Sequence, residues 1–248
     1  MPGLLKIKED YSWDLSGIEF VVEERGGEPG YFIGRKKEME FLYRWYKLIK
    51  KKASSSIAFL GRRKIGKSLM MERLYNIIYS EHDGIIPFYY EFKEGETTAY
   101  KFAEDFIVRF FMQVITYYTK DITWVRNSMN RKAKFKIDDF VREVKNIDFK
   151  YQDYIIENMH YYKTVLKEDK DVPYELVKLA TSIPDAFASD VNVEENVVQI
   201  IDEFQYFNSE VDAGREDIPS KCYMSTAESK VAPLLVTGSL MGVIAYDL

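Results

Sequence analysis

Apolar and polar positions alternate with a period that changes along the chain. Met39, Leu42, Trp45, Tyr46 and Ile49 recur at helical spacing, so the stretch after Glu38 is predicted to be a helix with one buried stripe. Lys47, Lys50, Lys51 and Lys52 crowd its end, where positive charge offsets the helix dipole. Ile57 to Leu60 is a short continuous apolar run and reads as a strand. Met70, Leu74, Ile77 and Ile78 return to helical spacing as far as Asp83-Gly84, and Ile85 to Phe92 reads as a second strand. Strand, helix and strand in this order form a βαβ unit, which predicts a parallel sheet with a right-handed crossover.

Thr97 or Thr98 can cap a third helix whose core stripe is Phe102, Phe106, Phe110, Val114 and Tyr117. Between 120 and 170 the chain becomes rich in both Lys/Arg and Tyr/Phe. Helical spacing there in Ile137 to Val144, and again in Tyr151, Tyr154, Ile155, Met159, Tyr162 and Leu166, predicts a helical insertion. Asp171 can cap a further helix that Pro184 is expected to interrupt after Ile183. Val197 to Ile201 is a β-branched run that ends in Asp202-Glu203. A polar stretch from 207 to 230 reads as loop and short helix. Val231 to Val236 is another strand, with Thr237, Gly238 and Ser239 at its end, where ligand groups gather in open parallel sheets. The expected division is a lead-in over 1–30, with a possible strand at Ile18 to Val22, a first core segment over 31–119, the insertion over 120–170, and a second core segment over 171–248.

Composition narrows the classes. With 46% hydrophobic and 30% charged residues among 248, the chain can bury one good core. A net charge of −5 argues against a surface that is wholly a nucleic-acid footprint. Cys222 is the single cysteine and there are 2 histidines, so no intrachain disulfide can form and a dedicated zinc site is not expected; a reducing cytoplasm fits best. No sustained apolar run predicts a membrane helix or a signal peptide. Arg131, Lys132, Lys134 and Lys136, with Phe135 between them, interleave basic and aromatic groups and are the local candidate for nucleic acid. A solvated helical face accounts for the same residues.

The chemistry is concentrated at Gly61-Arg62-Arg63-Lys64-Ile65-Gly66-Lys67-Ser68, which matches the P-loop pattern of Gly, four residues, Gly-Lys-Ser between a strand and a helix. Glycines allow the backbone to turn tightly and bring successive N–H groups onto a phosphate. Lys67 supplies a point charge for the β and γ oxygens, and the Ser68 hydroxyl can ligate Mg²⁺. The helix that begins there, through Leu69, aims its N-terminal dipole at the anion. Acids at the end of a downstream strand are the expected complement: Asp202 to hold Mg²⁺ directly or through water, and Glu203 to polarise the attacking water.

Phe32-Ile33-Gly34-Arg35 ahead of a helix with Glu38, the loop at 61–68, IIDEFQYF at 200–207 and LLVTGS at 234–239 together resemble the archaeal-type ATPases of the STAND and AAA+ branch of P-loop NTPases. The resemblance implies an α/β three-layer sandwich with a mostly parallel sheet in the order 5-1-4-3-2, ATP and Mg²⁺ as cofactors, Phe32 to Arg35 along the adenine, and a polar sensor on Thr237 or Ser239. Family members continue past the sensor strand with a crossover, a fifth strand and a helical lid bearing an arginine. Residues 240–248 are too few for a crossover, which takes about a dozen residues, so the fifth strand is expected to be missing. Three remedies are open: the chain is a fragment of a longer protein, a second chain completes the sheet edge and lid, or Ile18 to Val22 substitutes; a truncated or split gene product is the favoured expectation.

The expected function is an ATP-binding, slowly hydrolysing switch module. Hydrolysis is held down by the missing lid and by the lack of a marked arginine finger; Arg62, Arg63 or Arg215 could serve in trans. The alternatives are a non-hydrolysing, nucleotide-dependent binding module and a nucleic-acid-dependent ATPase.

Overall fold

A computed structural model describes residues 15–239 except Ile33, Glu96, Arg131, 169–171, 215–218 and Ser225. Helix α1 (Lys36–Ile49) precedes strand β1 (Ile57–Leu60), which feeds the loop into α2 (Lys67–Glu81) and then β2 (Ile85–Glu91). A two-residue strand β3 (Thr97–Thr98) leads into α3 (Ala99–Thr119), with Thr98 as the cap: its hydroxyl accepts from the Lys101 N–H at 3.3 Å. The predicted insertion is helical, consisting of α4 (Ile122–Met129), α5 (Ile137–Val144) and α6 (Gln152–Glu168). After α7 (Pro173–Ser189) come β4 (Asn196–Asp202), α8 (Gln205–Glu210), β5 (Val211–Asp212) and β6 (Leu234–Gly238).

The main sheet has the order β1-β6-β4-β2 and every pairing is parallel. Numbered as the family numbers its strands, this is 1-4-3-2. Among the described residues nothing pairs with the outer edge of β1, and residues 240–248 lie outside them. Strand parity sorts the side chains into two layers. Tyr89, Val198, Ile200 and Leu235 face α1 and α2, whereas Phe88, Val197, Ile201, Leu234 and Val236 face α3 and α7. Continuing the first parity by one step places Glu91, Asp202 and Thr237 at the strand ends on the α2 side. The acids are thus delivered to the loop by the same alternation that builds the core.

The outer edge of β2 is closed by a side chain. Gln113 on α3 accepts from the Tyr89 N–H at 2.8 Å and donates to the Tyr89 carbonyl at 2.9 Å, taking both backbone groups that point away from β4. The insertion helices share the apolar cluster under α3 and α7 through Trp124, Phe140, Val144, Ile155, Met159 and Leu166. Helices α5 and α6 therefore extend that layer, while α4 also packs on the α1 and α2 side through Val125, Ile122 and Met129.

Two sequence expectations are corrected. Ile18 to Val22 forms no strand. Val22 N–H instead donates to Asn76 Oδ1 and the Val22 carbonyl accepts from Asn76 Nδ2, both at 3.0 Å, so an α2 side chain satisfies the backbone that a strand partner would otherwise take. Helix α7 runs through Pro184 to Ser189. Proline has a helical φ and removes one N–H bond, and the buried face of Ile183, Phe187 and Ala188 outweighs that loss.

Candidate functional site

Leaving β1, the loop turns at Gly61, where a Cβ would fall 2.4 Å from Ile65 Cδ1, and enters α2 at Gly66 with φ of 85°. That left-handed value suits glycine. Gly66 gives α2 no side-chain cap, so the first N–H groups of the helix are left to a ligand. The buried Lys67 side chain folds back over the loop, donating from Nζ to the carbonyls of Gly61 at 3.0 Å and Arg62 at 2.9 Å. An ammonium has three donors, and two are spent here. No partner for the Ser68 hydroxyl is found among the described residues. Arg62, Arg63 and Lys64 are exposed, and Arg63 donates to the Tyr206 hydroxyl at 3.0 Å. Leu69 lies against Gly26 of the lead-in segment.

The opposite wall is set by β4 and β6. Asp202 is fully buried, and its Oδ1 accepts from the Thr237 hydroxyl and from the Glu203 N–H at 3.0 Å. Its Oδ2 accepts from the Tyr89 hydroxyl at 2.8 Å. Burial, followed by the Asp202 charge, raises the Tyr89 phenol well above the usual range, so it stays a donor. Glu203 sits at φ of 54°, an uncommon conformation for a side-chain-bearing residue and one that turns the chain off the strand end. Its carboxylate accepts from the Gln205 amide and, at 3.4 Å, from the Ser239 hydroxyl. Thr237 is thus committed to Asp202, and the half-buried Ser239 is grouped with Glu203 and Gln205.

The expected adenine side is partly drawn in. Arg35, itself left-handed at φ of 58°, donates to the Ile65 carbonyl at 3.2 Å and pairs with Glu38 at 2.9 Å. The Phe32 ring covers the Arg73 guanidinium, 4.7 Å from ring centre to carbon. Gly34 is exposed, and Ile33 lies outside the described residues, as do Arg131 and Arg215.

Sequence reasoning missed an arginine and two of the three acids it meets, Glu72 and Glu91. Arg25 reaches Glu72 on α2 at 2.7 Å, Glu91 at the end of β2 at 2.9 Å and Asp202 at 3.8 Å. Burial works against its charge, but Tyr89 and these three carboxylates outweigh it and raise the guanidinium pKa. Burial also pushes the Glu72 carboxyl up to about 7 against the pull of Arg25. The only cue in the sequence was Glu91 at the end of a strand.

The residues fit a nucleotide with its metal. An uncapped helix start, a lysine across the loop, the Ser68 hydroxyl at the head of α2, and a buried acid two strands away supply phosphate donors and hard oxygen ligands. Among the described residues no cluster of three or more His, Cys, Asp or Glu has metal-binding geometry by itself. No helix among the described residues is long and apolar enough to cross a membrane. The fold is a parallel α/β/α sandwich, with the glycine-punctuated loop between its first strand and the helix that follows.

No protein-family profile matches the chain, and no curated protein matches it in sequence. Solved structures that align with it include the Walker-type ATPase PABY2304 of Pyrococcus abyssi, at 11% identity and a TM-score of 0.44, over 93% of this chain and 52% of that one. The Aeropyrum pernix ORC2 protein aligns in its ADP form at 10% identity and a TM-score of 0.41, over 91% and 46%. In its ADPNP–ADP complexes the figures are 12%, 0.40, 92% and 47%. The chain spans about half the length of each.

Proposed function

We propose that the chain is an ATP-binding module of the AAA+/STAND kind, with slow Mg²⁺-dependent hydrolysis of its own, used as a nucleotide switch. The observation that carries this reading is the pairing of an uncapped α2 start, spanned by Lys67, with the buried Asp202 at the end of β4. Gly61 to Leu69 hold the phosphates, Phe32 to Arg35 border the base, and Ser68 and Asp202 hold Mg²⁺. The metal, when bound, neutralises phosphate charge and polarises the bond to be broken. Glu203 orients the attacking water once its carboxylate leaves Gln205, and Ser239 senses the terminal phosphate.

That captive carboxylate favours a second reading, a nucleotide-binding module without turnover. The two are separated by phosphate release at saturating ATP and Mg²⁺. Lys67→Ala is expected to abolish nucleotide binding, while Glu203→Gln keeps binding and loses turnover. Equal ADP affinity in wild type and Lys67→Ala overturns both readings.

Partner surfaces are open to trial as well. The β1 edge, unpaired among the described residues, is where a strand from a second chain would extend the sheet. Lys134, Phe135 and Lys136 line a cavity of about 490 Å³ beside α5 and would be the contact for nucleic acid. A DNA-stimulated, salt-sensitive turnover would support that role, and a flat response counts against it.

A further inference from the structure

The lead-in segment runs along α2 as a strap directed toward the phosphate loop. Glu19 N–H donates to Ser80 at 2.7 Å, Val22 pairs with Asn76, Glu24 pairs with Arg73, and Arg25 N–H donates to Glu72 at 2.8 Å. Gly26 then packs on Leu69. The α2 positions used are 80, 76, 73, 72 and 69, a single helical face read back to the helix start. At the loop end of this strap Arg25 extends its guanidinium over Glu72, Glu91 and Asp202, with Nη2 also 3.1 Å from the Tyr89 hydroxyl. Its side chain is 37% exposed, so it enters the acid cluster from solvent and can leave the same way.

We propose that Arg25 is the resident cation of this acid cluster and a positioning residue for Asp202, so that Mg²⁺–nucleotide binding and the seating of Arg25 oppose each other. This rests on the reading of Asp202 as a metal-side acid. Among the described residues the Arg25 guanidinium meets all three carboxylates, and two cations competing for Asp202 repel through a poorly screened pocket. When the nucleotide enters with Mg²⁺, Arg25 gives up Asp202 and Glu91 and the strap loosens at Arg25 to Glu28. Glu24–Arg73 and Val22–Asn76 keep the rest of it on α2.

The test compares full-length wild type, Arg25→Gln and Arg25→Lys for binding of fluorescent ADP with Mg²⁺ and with EDTA. The Mg²⁺-dependent gain in ADP affinity should be about tenfold larger in Arg25→Gln than in wild type, a typical coupling between sites, and near the wild-type value in Arg25→Lys. Hydrogen exchange of the amides at 25–28 in wild type with ADP should be about fivefold faster with Mg²⁺ than with EDTA. An unchanged or smaller gain in Arg25→Gln, or exchange that is equal or slower with Mg²⁺, overturns the proposal. Should Arg25→Gln fail to fold, the exchange measurement on wild type decides alone. Wild type that binds no ADP at all overturns the nucleotide reading itself, and this proposal with it.

Discussion

Gln205 holds Ser239 at both ends of its amide: Nε2 lies 3.1 Å from the Ser239 hydroxyl, and Oε1 accepts the Ser239 N–H at 3.2 Å. The same Nε2 donates to the Glu203 carboxylate, so one side chain fixes the residue that follows β6 and the acid that follows β4. Gln205→Ala should therefore leave ADP affinity within about threefold and, on the proposed reading, raise ATP turnover by about tenfold, because the Glu203 carboxylate no longer has to leave the amide before it can orient water. Steady-state phosphate release beside an ADP titration checks it. A fall in turnover instead would make Gln205 the group that positions Glu203 and not one that restrains it.

Gln113 substitutes for a strand at the other end of the sheet. Its amide meets both Tyr89 backbone groups, and it is 1% exposed, so water cannot take its place. Gln113→Ala leaves a buried N–H and a buried carbonyl unmatched, which should cost about 2 to 4 kcal/mol. Urea unfolding measures this as a lower midpoint at unchanged slope.

These residues show what was legible in the sequence. The loop at 61–68 and the acids at 202–203 were readable because local order carries their chemistry: glycines at fixed offsets, and a β-branched run that ends in carboxylates. Arg25 and Gln113 were not, because each acts through partners distant in sequence and belongs to no periodic pattern. Ile18 to Val22 has the apolar character of a strand, yet the identity of its backbone partner, Asn76, is a tertiary fact. Pro184 stays inside α7 because the buried face holds the helix, whereas the rule that proline ends a helix describes isolated ones.

His82 provides a pH handle away from the site. It caps α2, stacks near Tyr117 and lies 2.7 Å from the Lys120 ammonium, with Glu195 and Asp83 facing it at longer range. Burial first, and Lys120 second, hold its pKa below the ordinary 6.5. As pH falls through 6.5, the unfolded chain takes up the proton before the folded chain, so stability is lost toward acid. The melting temperature of wild type should fall more between pH 7.5 and 5.5 than that of His82→Gln. Parallel profiles for the two proteins would remove His82 as the cause.

The strap that carries Arg25 depends on a buried ion pair. Arg73 Nε and Nη2 donate to the two Glu24 oxygens at 2.6 and 2.8 Å, the Arg73 side chain is 1% exposed, and Nη2 also reaches the Pro29 carbonyl at 2.8 Å. Rings of Phe20 and Phe32 lie beside the guanidinium, which favours its planar charge. A buried pair is not strongly stabilising as a whole, but removing one member leaves the other charged and unmatched. Arg73→Met should therefore cost about 3 to 5 kcal/mol, with Glu24→Gln milder because an amide still accepts from Arg73. The double variant Arg73→Met with Glu24→Gln should recover much of the loss, since no buried charge is then left alone. Chemical denaturation of the four proteins completes the cycle. A double variant as unstable as the sum of its parts would mean that Arg73 acts through Pro29 and the two rings, and not through Glu24.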